Sequence, residues 1–190
     1  MTTPSPTRYK LDVAPDAEQL ARRCAERVAS LIDLALDERD RAQIALSGGS
    51  TPAAAYRHLN AEHLPWNRVD VVLGDERWVP ATDPASNARM LSETLLAAAG
   101  PGAGATTVRD RAVTIGAGKG LERITLTAPV LSAARHVIVL VSGAAKRQAL
   151  QRLLDPAEPA ERTPAKLVQP RTPVLVLADA AAAEGLAAPG

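Results

Sequence analysis

The chain has no phenylalanine, and its aromatic complement is Tyr9, Tyr56, Trp66 and Trp78. Proteins that hold single-stranded nucleic acid stack bases on rows of aromatic rings, so these few scattered rings argue against that class. Charge of one sign is also lacking: 22 Lys and Arg face 21 Asp and Glu, a net charge of +1. No overall field recruits nucleic acid or an anionic membrane, and any affinity for anions has to be local. Cys24 is the single cysteine, so no disulfide forms within the chain. Its place on the apolar face of a predicted helix makes it a small buried hydrophobe. The opening stretch MTTPSPTRYK has no apolar signal core, and no apolar run approaches the ~20 residues of a membrane span. These absences predict a cytoplasmic protein with neither nucleic-acid nor membrane partners.

What is present is an alternation of short apolar runs and helical periods over 190 residues, which predicts a single domain spanning 1–190. Residues 8–13 suit an edge strand. Leu20, Cys24, Val28, Leu31, Ile32 and Ala35 fall at helical spacing after Asp16, a predicted N-cap with Gln19 three residues on. Strands follow at 44–46 and 69–73, with a helix at 52–59 between them and another opening at Asp83-Pro84 or Ser86. Val113 to Ile115 suits a short strand, and Ile124, Leu126, Val130 and Leu131 suit a helix disturbed by Pro129. Residues 136–141 are near-continuously apolar, as in a central parallel strand. A helix from Lys146 to Leu154, a proline-rich connection, a last strand at 174–177 and an Ala-rich terminal helix complete the chain. The pattern predicts an α/β fold: a doubly wound, mostly parallel sheet with helices on both faces, Rossmann-like but shortened.

Two loops concentrate the polar chemistry. Ser47-Gly48-Gly49-Ser50-Thr51-Pro52 follows a strand and opens a helix, with Thr51 placed as N-cap and Pro52 as first helical residue. Glycines let the backbone approach a ligand, the hydroxyls donate, and the helix dipole favours negative charge, so the loop is a candidate anion cradle. Asp75-Glu76-Arg77-Trp78 follows the second strand at the same predicted sheet edge, where ligands of open parallel sheets bind. Gly116-Ala-Gly-Lys-Gly120 does not form a nucleotide loop: Val113 stands where the first glycine belongs, and Gly120 where Ser or Thr belongs.

Leu46-Ser-Gly-Gly-Ser-Thr-Pro52, Leu64-Pro-Trp-Asn-Arg-Val-Asp70, Gly74-Asp-Glu-Arg-Trp-Val-Pro80 and Asp83-Pro-Ala-Ser-Asn87 resemble the successive signatures of 6-phosphogluconolactonases. Glu122-Arg-Ile-Thr-Leu-Thr127 and His136-Val-Ile-Val-Leu-Val-Ser-Gly-Ala-Ala-Lys146 continue the resemblance. Glucosamine-6-phosphate deaminases and isomerases share the first loop, but the run Asp75-Glu-Arg-Trp78 is closer to the lactonases. The resemblance implies hydrolysis of 6-phosphoglucono-δ-lactone to 6-phosphogluconate in the pentose phosphate pathway, without metal or organic cofactor. It implies phosphosugar contacts at Ser47, Gly48, Gly49, Ser50, Thr51, Arg77, Arg123 and Lys146.

One departure is large. Relatives carry, between the second and third blocks, a strand and a Gly-x-Gly-x-Asp-Gly-His-x-Ala-Ser loop whose histidine is regarded as the catalytic base. Nothing between Leu96 and Glu122 matches it, and His58, His63 and His136 stand in other contexts. Asp75 is then the catalytic candidate, with Glu76 beside it, although orienting substrate hydroxyls or Arg77 suits Asp75 as well. Three readings follow: a shortened lactonase with a replacement base, a catalytically impaired homologue that binds a phosphosugar without turnover, and a sugar-phosphate isomerase or deaminase. Losing a strand from mid-sheet uncovers apolar neighbours, which calls for a repacked core or a partner such as a second copy of the chain.

Overall fold

The structure, a computed structural model, describes residues 8–98, 100–107, 113–118 and 120–186. In chain order the elements are β1 (Tyr9–Ala14), α1 (Ala17–Glu38), β2 (Ala42–Leu46), α2 (Ser50–Asn60), β3 (Val69–Leu73), β4 (Asp75–Arg77) and α3 (Asn87–Ser92). They continue as β5 (Thr106–Thr107), β6 (Val113–Gly118), β7 (Leu121–Leu126), α4 (Ala128–Ser132), β8 (Ile138–Val141), α5 (Arg147–Leu154), β9 (Val174–Asp179) and α6 (Ala180–Ala183). The chain divides into two compact units, residues 1–20 with 128–190, and residues 21–127. Sheets β1–β9–β8 and β2–β3–β5 are parallel throughout and only β4–β7–β6 is antiparallel, so the fold is α/β with mostly parallel pairing.

In the first unit β9 is the middle strand, with Tyr9 opposite Val174 on one side and Ile138 opposite Leu175 on the other. Pairing along both edges buries Val174, Val176, Leu177 and Ala178, the continuous apolar pattern of a strand covered on both faces. The sequence assigned that central place to 136–141. Instead β8 pairs with β9 alone among the described residues, and Ile138, Val139 and Leu140 are only half-buried. The helix expected at the Ala-rich tail is α6, four residues capped by Asp179; residues 187–190 lie outside the described residues.

The second unit carries most of α1. Its start is as read from sequence: Asp16 Oδ1 accepts from Gln19 N at 2.8 Å. Its end is tied by Arg68, which donates to the carbonyls of Arg39 and Asp40, an arrangement that matches a cation to the helix C-terminus. Ile32, Leu59, Val69, Leu91 and Leu95 pack with Tyr56 and Trp66 into one core, each large aliphatic contributing about 2 kcal/mol over exposure. Cys24 is buried as expected, and burial pushes its thiol up to about 12, leaving it protonated at neutral pH.

One local expectation is corrected in this unit. Residues 121–126 form β7 rather than a helix; β-branched Ile124 and Thr125 pair with β6 on one side and β4 on the other, and the helix starts only at Ala128. Gly116 to Gly118 belongs to β6, in keeping with the rejected nucleotide loop, whose Lys119 lies outside the described residues.

Asn60 closes α2 inside this core. Its Nδ2 donates to the Thr94 carbonyl at 2.7 Å and its Oδ1 accepts from Gly102 N at 3.1 Å, pinning the chain just beyond α3. Asn60→Leu leaves the buried Gly102 amide without its partner and takes one of two donors from the Thr94 carbonyl, and an equilibrium urea titration is expected to show a loss of about 2 kcal/mol. A loss under about 0.5 kcal/mol would mean the 94–102 segment re-forms its bonds elsewhere.

Candidate functional site

β2 and β3 run in parallel register from Ala42↔Val69 to Leu46↔Leu73, so their carboxyl ends stop side by side. Gly74 N donates to the Leu46 carbonyl at 2.7 Å and locks the two exits together. The glycine loop leaves β2 there. Its first residue is held on both sides by one phenol: Ser47 N donates to Tyr56 Oη at 3.1 Å, and Tyr56 Oη donates to the Ser47 carbonyl at 3.0 Å. Burial pushes the Tyr56 hydroxyl up to about 12, so it stays protonated and keeps both bonds at neutral pH.

The helix starts two residues earlier than read from sequence. Gly49, not Thr51, is the N-cap of α2, at φ 126° and ψ 163°, which a residue with a Cβ rarely adopts. Gly49 has no side chain to accept from the first turn and no acidic residue follows, so the Ser50 and Thr51 amides lack an internal partner. Ser47, Gly49 and Ser50 are exposed. Donors without acceptors at an open helix N-terminus suit an anion.

The charged run is a strand rather than a loop. β4 pairs antiparallel with β7, Asp75 opposite Thr125 and Arg77 opposite Arg123, which sets Asp75, Arg77 and Arg123 on one face. Arg123 reaches diagonally to Asp75, Nη1 to Oδ2 at 2.6 Å, and is therefore the cation on this carboxylate. Arg77 donates through Nη1 to the Ala85 carbonyl, while its Nε is buried without a partner among the described residues. A buried unpaired donor costs free energy that an acceptor from a ligand would restore.

Glu76 is committed elsewhere. Oε1 accepts from Arg77 N and Asn87 N, both at 2.7 Å, and Oε2 accepts from Ala88 N at 2.8 Å and Ser86 Oγ at 3.0 Å. Filled by four donors, this carboxylate anchors the start of α3 and is not available to move a proton. Ser86 itself caps α3, accepting from Arg89 N. The anchored helix presents Asn87, 1% exposed, whose Nδ2 donates to the Asp75 carbonyl at 2.8 Å. A Cβ added to Gly48 would lie 1.7 Å from Asn87 Oδ1. Asn87 thus fills the space between the glycine loop and Asp75 and couples them.

A family profile described as glucosamine-6-phosphate isomerases/6-phosphogluconolactonase matches residues 15–111 and 100–177. The chain belongs to this family. It is similar to a 6-phosphogluconolactonase of Nostoc sp., 31% identical over 230 positions covering 90% of this chain and 96% of that one. A 6-phosphogluconolactonase of Synechocystis sp. is also 31% identical, with 93% and 98% covered. The crystal structure of a 6-phosphogluconolactonase from Shewanella baltica shares the fold, with a TM-score of 0.79 at 22% identity over 90% of this chain and 97% of that one.

Within the 6-phosphogluconolactonase family this chain is internally short. An alignment of 230 positions lies over a chain of 190 residues, so some 40 or more positions have no counterpart here. The profile matches in two overlapping pieces that meet at 100–111, between α3 and β6.

Seven of the predicted binding residues, Ser47, Gly48, Gly49, Ser50, Thr51, Arg77 and Arg123, fall with Asp75 in the second unit; Lys146 belongs to the first, at the end of a 3-10 turn. Tyr56, Glu76 and Asn87 were missed as organising residues. Asn87 lay inside a recognised signature, yet only its contact with Gly48 reveals its part. A shallow, open depression of about 390 Å³ lies beside the site, lined by Glu76, Arg77, Trp78, Val79, Pro80 and Ile124, and includes none of the glycine loop.

Proposed function

We propose that this chain binds 6-phosphoglucono-δ-lactone and hydrolyses it to 6-phosphogluconate. The observation that carries the reading is the coupling of the glycine loop to the Asp75–Arg123 pair through Asn87. The amides of Ser50 and Thr51, the hydroxyls of Ser47, Ser50 and Thr51, and the helix dipole take the phosphate. The Arg77 guanidinium is a further donor group for the ligand. In the reaction a water oxygen bonds to the lactone carbonyl carbon, the bond from that carbon to the ring oxygen breaks, and the departing oxygen gains a proton as the water loses one. Asp75 lies nearest this chemistry, and Arg123 holds its carboxylate in one direction. No helix among the described residues is long and apolar enough to cross a membrane. A cytoplasmic setting suits this reading.

Binding without turnover is the second reading, favoured by the 40 or more positions missing from the chain. Hydrolysis of freshly prepared 6-phosphoglucono-δ-lactone at pH 6.5, measured against the spontaneous background, separates the two. Catalysis above background that falls at least 100-fold in Asp75→Ala is the outcome for a lactonase. A rate equal to background with thermal stabilisation by 6-phosphogluconate assigns a binding protein. The absence of both signals would exclude the phosphosugar reading.

A further inference from the structure

β4 lies at the rim of its sheet, paired with β7 alone among the described residues. Leu126 N donates to the Gly74 carbonyl at 2.8 Å and Trp78 N to the Glu122 carbonyl at 2.9 Å, so the backbone groups of Asp75 and Arg77 turn to the outer edge. Side chains close that edge. The Asp75 carbonyl accepts from Asn87 Nδ2 at 2.8 Å, and Arg77 N donates to Glu76 Oε1 at 2.7 Å. Glu76 points away from the face that carries Asp75, Arg77 and Arg123, yet it holds both of its neighbours. It holds Arg77 directly, by the amide. It holds Asp75 through α3, whose first two amides, Asn87 and Ala88, donate to its carboxylate while the Asn87 side chain returns to Asp75. Ser86, 2% exposed, already caps this six-residue helix by accepting from Arg89 N at 3.2 Å, so a second acceptor from a neighbouring strand exceeds what the helix start requires.

We propose that Glu76 is a positioning residue for Asp75: by fixing the start of α3 it aims Asn87 at Asp75, and so sets where the Asp75 carboxylate meets the bound phosphosugar. The inference rests on the phosphosugar reading. The two oxygens of Asp75 are not equivalent. Oδ2 is taken by Arg123 at 2.6 Å, whereas Oδ1 has only the long 3.4 Å approach of Asn87 Nδ2 among the described residues, and the side chain is 27% exposed. Oδ1 is therefore the oxygen left to a ligand, and Asn87 is the group that steadies it. Only a carboxylate, whose two oxygens both accept, serves the four donors around Glu76. In Glu76→Gln the shape is kept, but an NH2 group replaces one oxygen and meets two of those donors. The start of α3 is released, Asn87 turns, and Asp75 loses its hold.

The test joins a spectroscopic readout to a binding one. The Asn87 side-chain amide is followed in proton–nitrogen correlation spectra, and Kd for 6-phosphogluconate is measured by calorimetric titration. In Glu76→Gln the exchange of that amide with water is expected to accelerate about tenfold and Kd to weaken about tenfold. Ser86→Ala keeps the carboxylate and removes one donor, so both readouts are expected to move the same way by about threefold, and this milder variant decides the matter if Glu76→Gln does not fold. Ile32→Val trims the core of the same unit away from β4 and α3; it is expected to lower the melting temperature and to leave both readouts within about twofold. Unchanged amide exchange in folded Glu76→Gln, faster exchange with the parent Kd, or equal weakening by Ile32→Val would overturn the positioning role while leaving the phosphosugar reading intact. An unsubstituted chain that fails to bind 6-phosphogluconate overturns both.

Discussion

Gly48→Ala is expected to abolish 6-phosphogluconate binding and to lower the melting temperature by about 5 °C or more. The new methyl carbon would fall 1.7 Å from Asn87 Oδ1, well inside contact distance, so either the loop or Asn87 has to move. The loop has little freedom, because Tyr56 bonds both the amide and the carbonyl of Ser47 and Gly49 occupies a backbone region that fixes the next turn. Asn87 has little either, being held by its own amide on Glu76 and by its side chain on the Asp75 carbonyl. Overpacking of this kind costs about 1–3 kcal/mol, which for a chain of this size shifts the transition by several degrees. Adding Asn87→Ala to Gly48→Ala removes the clash and should restore much of the melting temperature, but not binding, since the bridge to Asp75 is gone. Calorimetric titration and thermal denaturation of the parent chain and the two variants check this. If Gly48→Ala binds as well as the parent chain, the glycine loop is not the phosphate cradle.

Grafting the segment carried by the longer relatives into this chain where the two pieces of the family match meet, within 100–111, is expected to raise the lactone hydrolysis rate by about 10²–10⁴-fold. The second unit offers donors for a phosphate, but its two carboxylates near the strand exits are both engaged, Glu76 by four donors and Asp75 by Arg123. A general base has to reach the attacking water and take its proton, and a histidine on an added strand-loop supplies that function near neutral pH. Stopped-flow or pH-stat rates on the grafted and parent chains decide the matter, with circular dichroism confirming that the graft folds. Should the folded graft give no increase, proton transfer is already provided by a residue present here, and Asp75→Ala in the parent becomes the decisive variant.

The parts of the site that were legible in the sequence are those whose physics is local. Gly-Gly between a strand and a helix announces a close backbone approach, and the run Asp75-Glu76-Arg77 announces charge at a strand end. What could not be read was which charge meets which. Asp75 and Arg77 share a face of β4, yet Arg77 donates to the Ala85 carbonyl and it is Arg123, 48 residues away, that meets Asp75 across the β4–β7 pairing. The same pairing turned 121–126 from an expected helix into β7. Glu76 read as a spare acid and is an anchor, since only the folded chain brings the start of α3 against it.

By itself the sequence determined the α/β class, the family, most of the strands and helices, the glycine loop and the loss of an internal segment, because periodicity, turn chemistry and motif order are properties of neighbours along the chain. The tertiary structure decided the partners. It made β9 rather than β8 the middle strand of its sheet, gave Asp75 to Arg123, set Asn87 between Gly48 and Asp75, and tied Asp179 to the turn before Lys146. Each of these joins residues far apart in sequence, and such pairings are selected by burial and hydrogen-bond satisfaction over the whole unit rather than by any local preference.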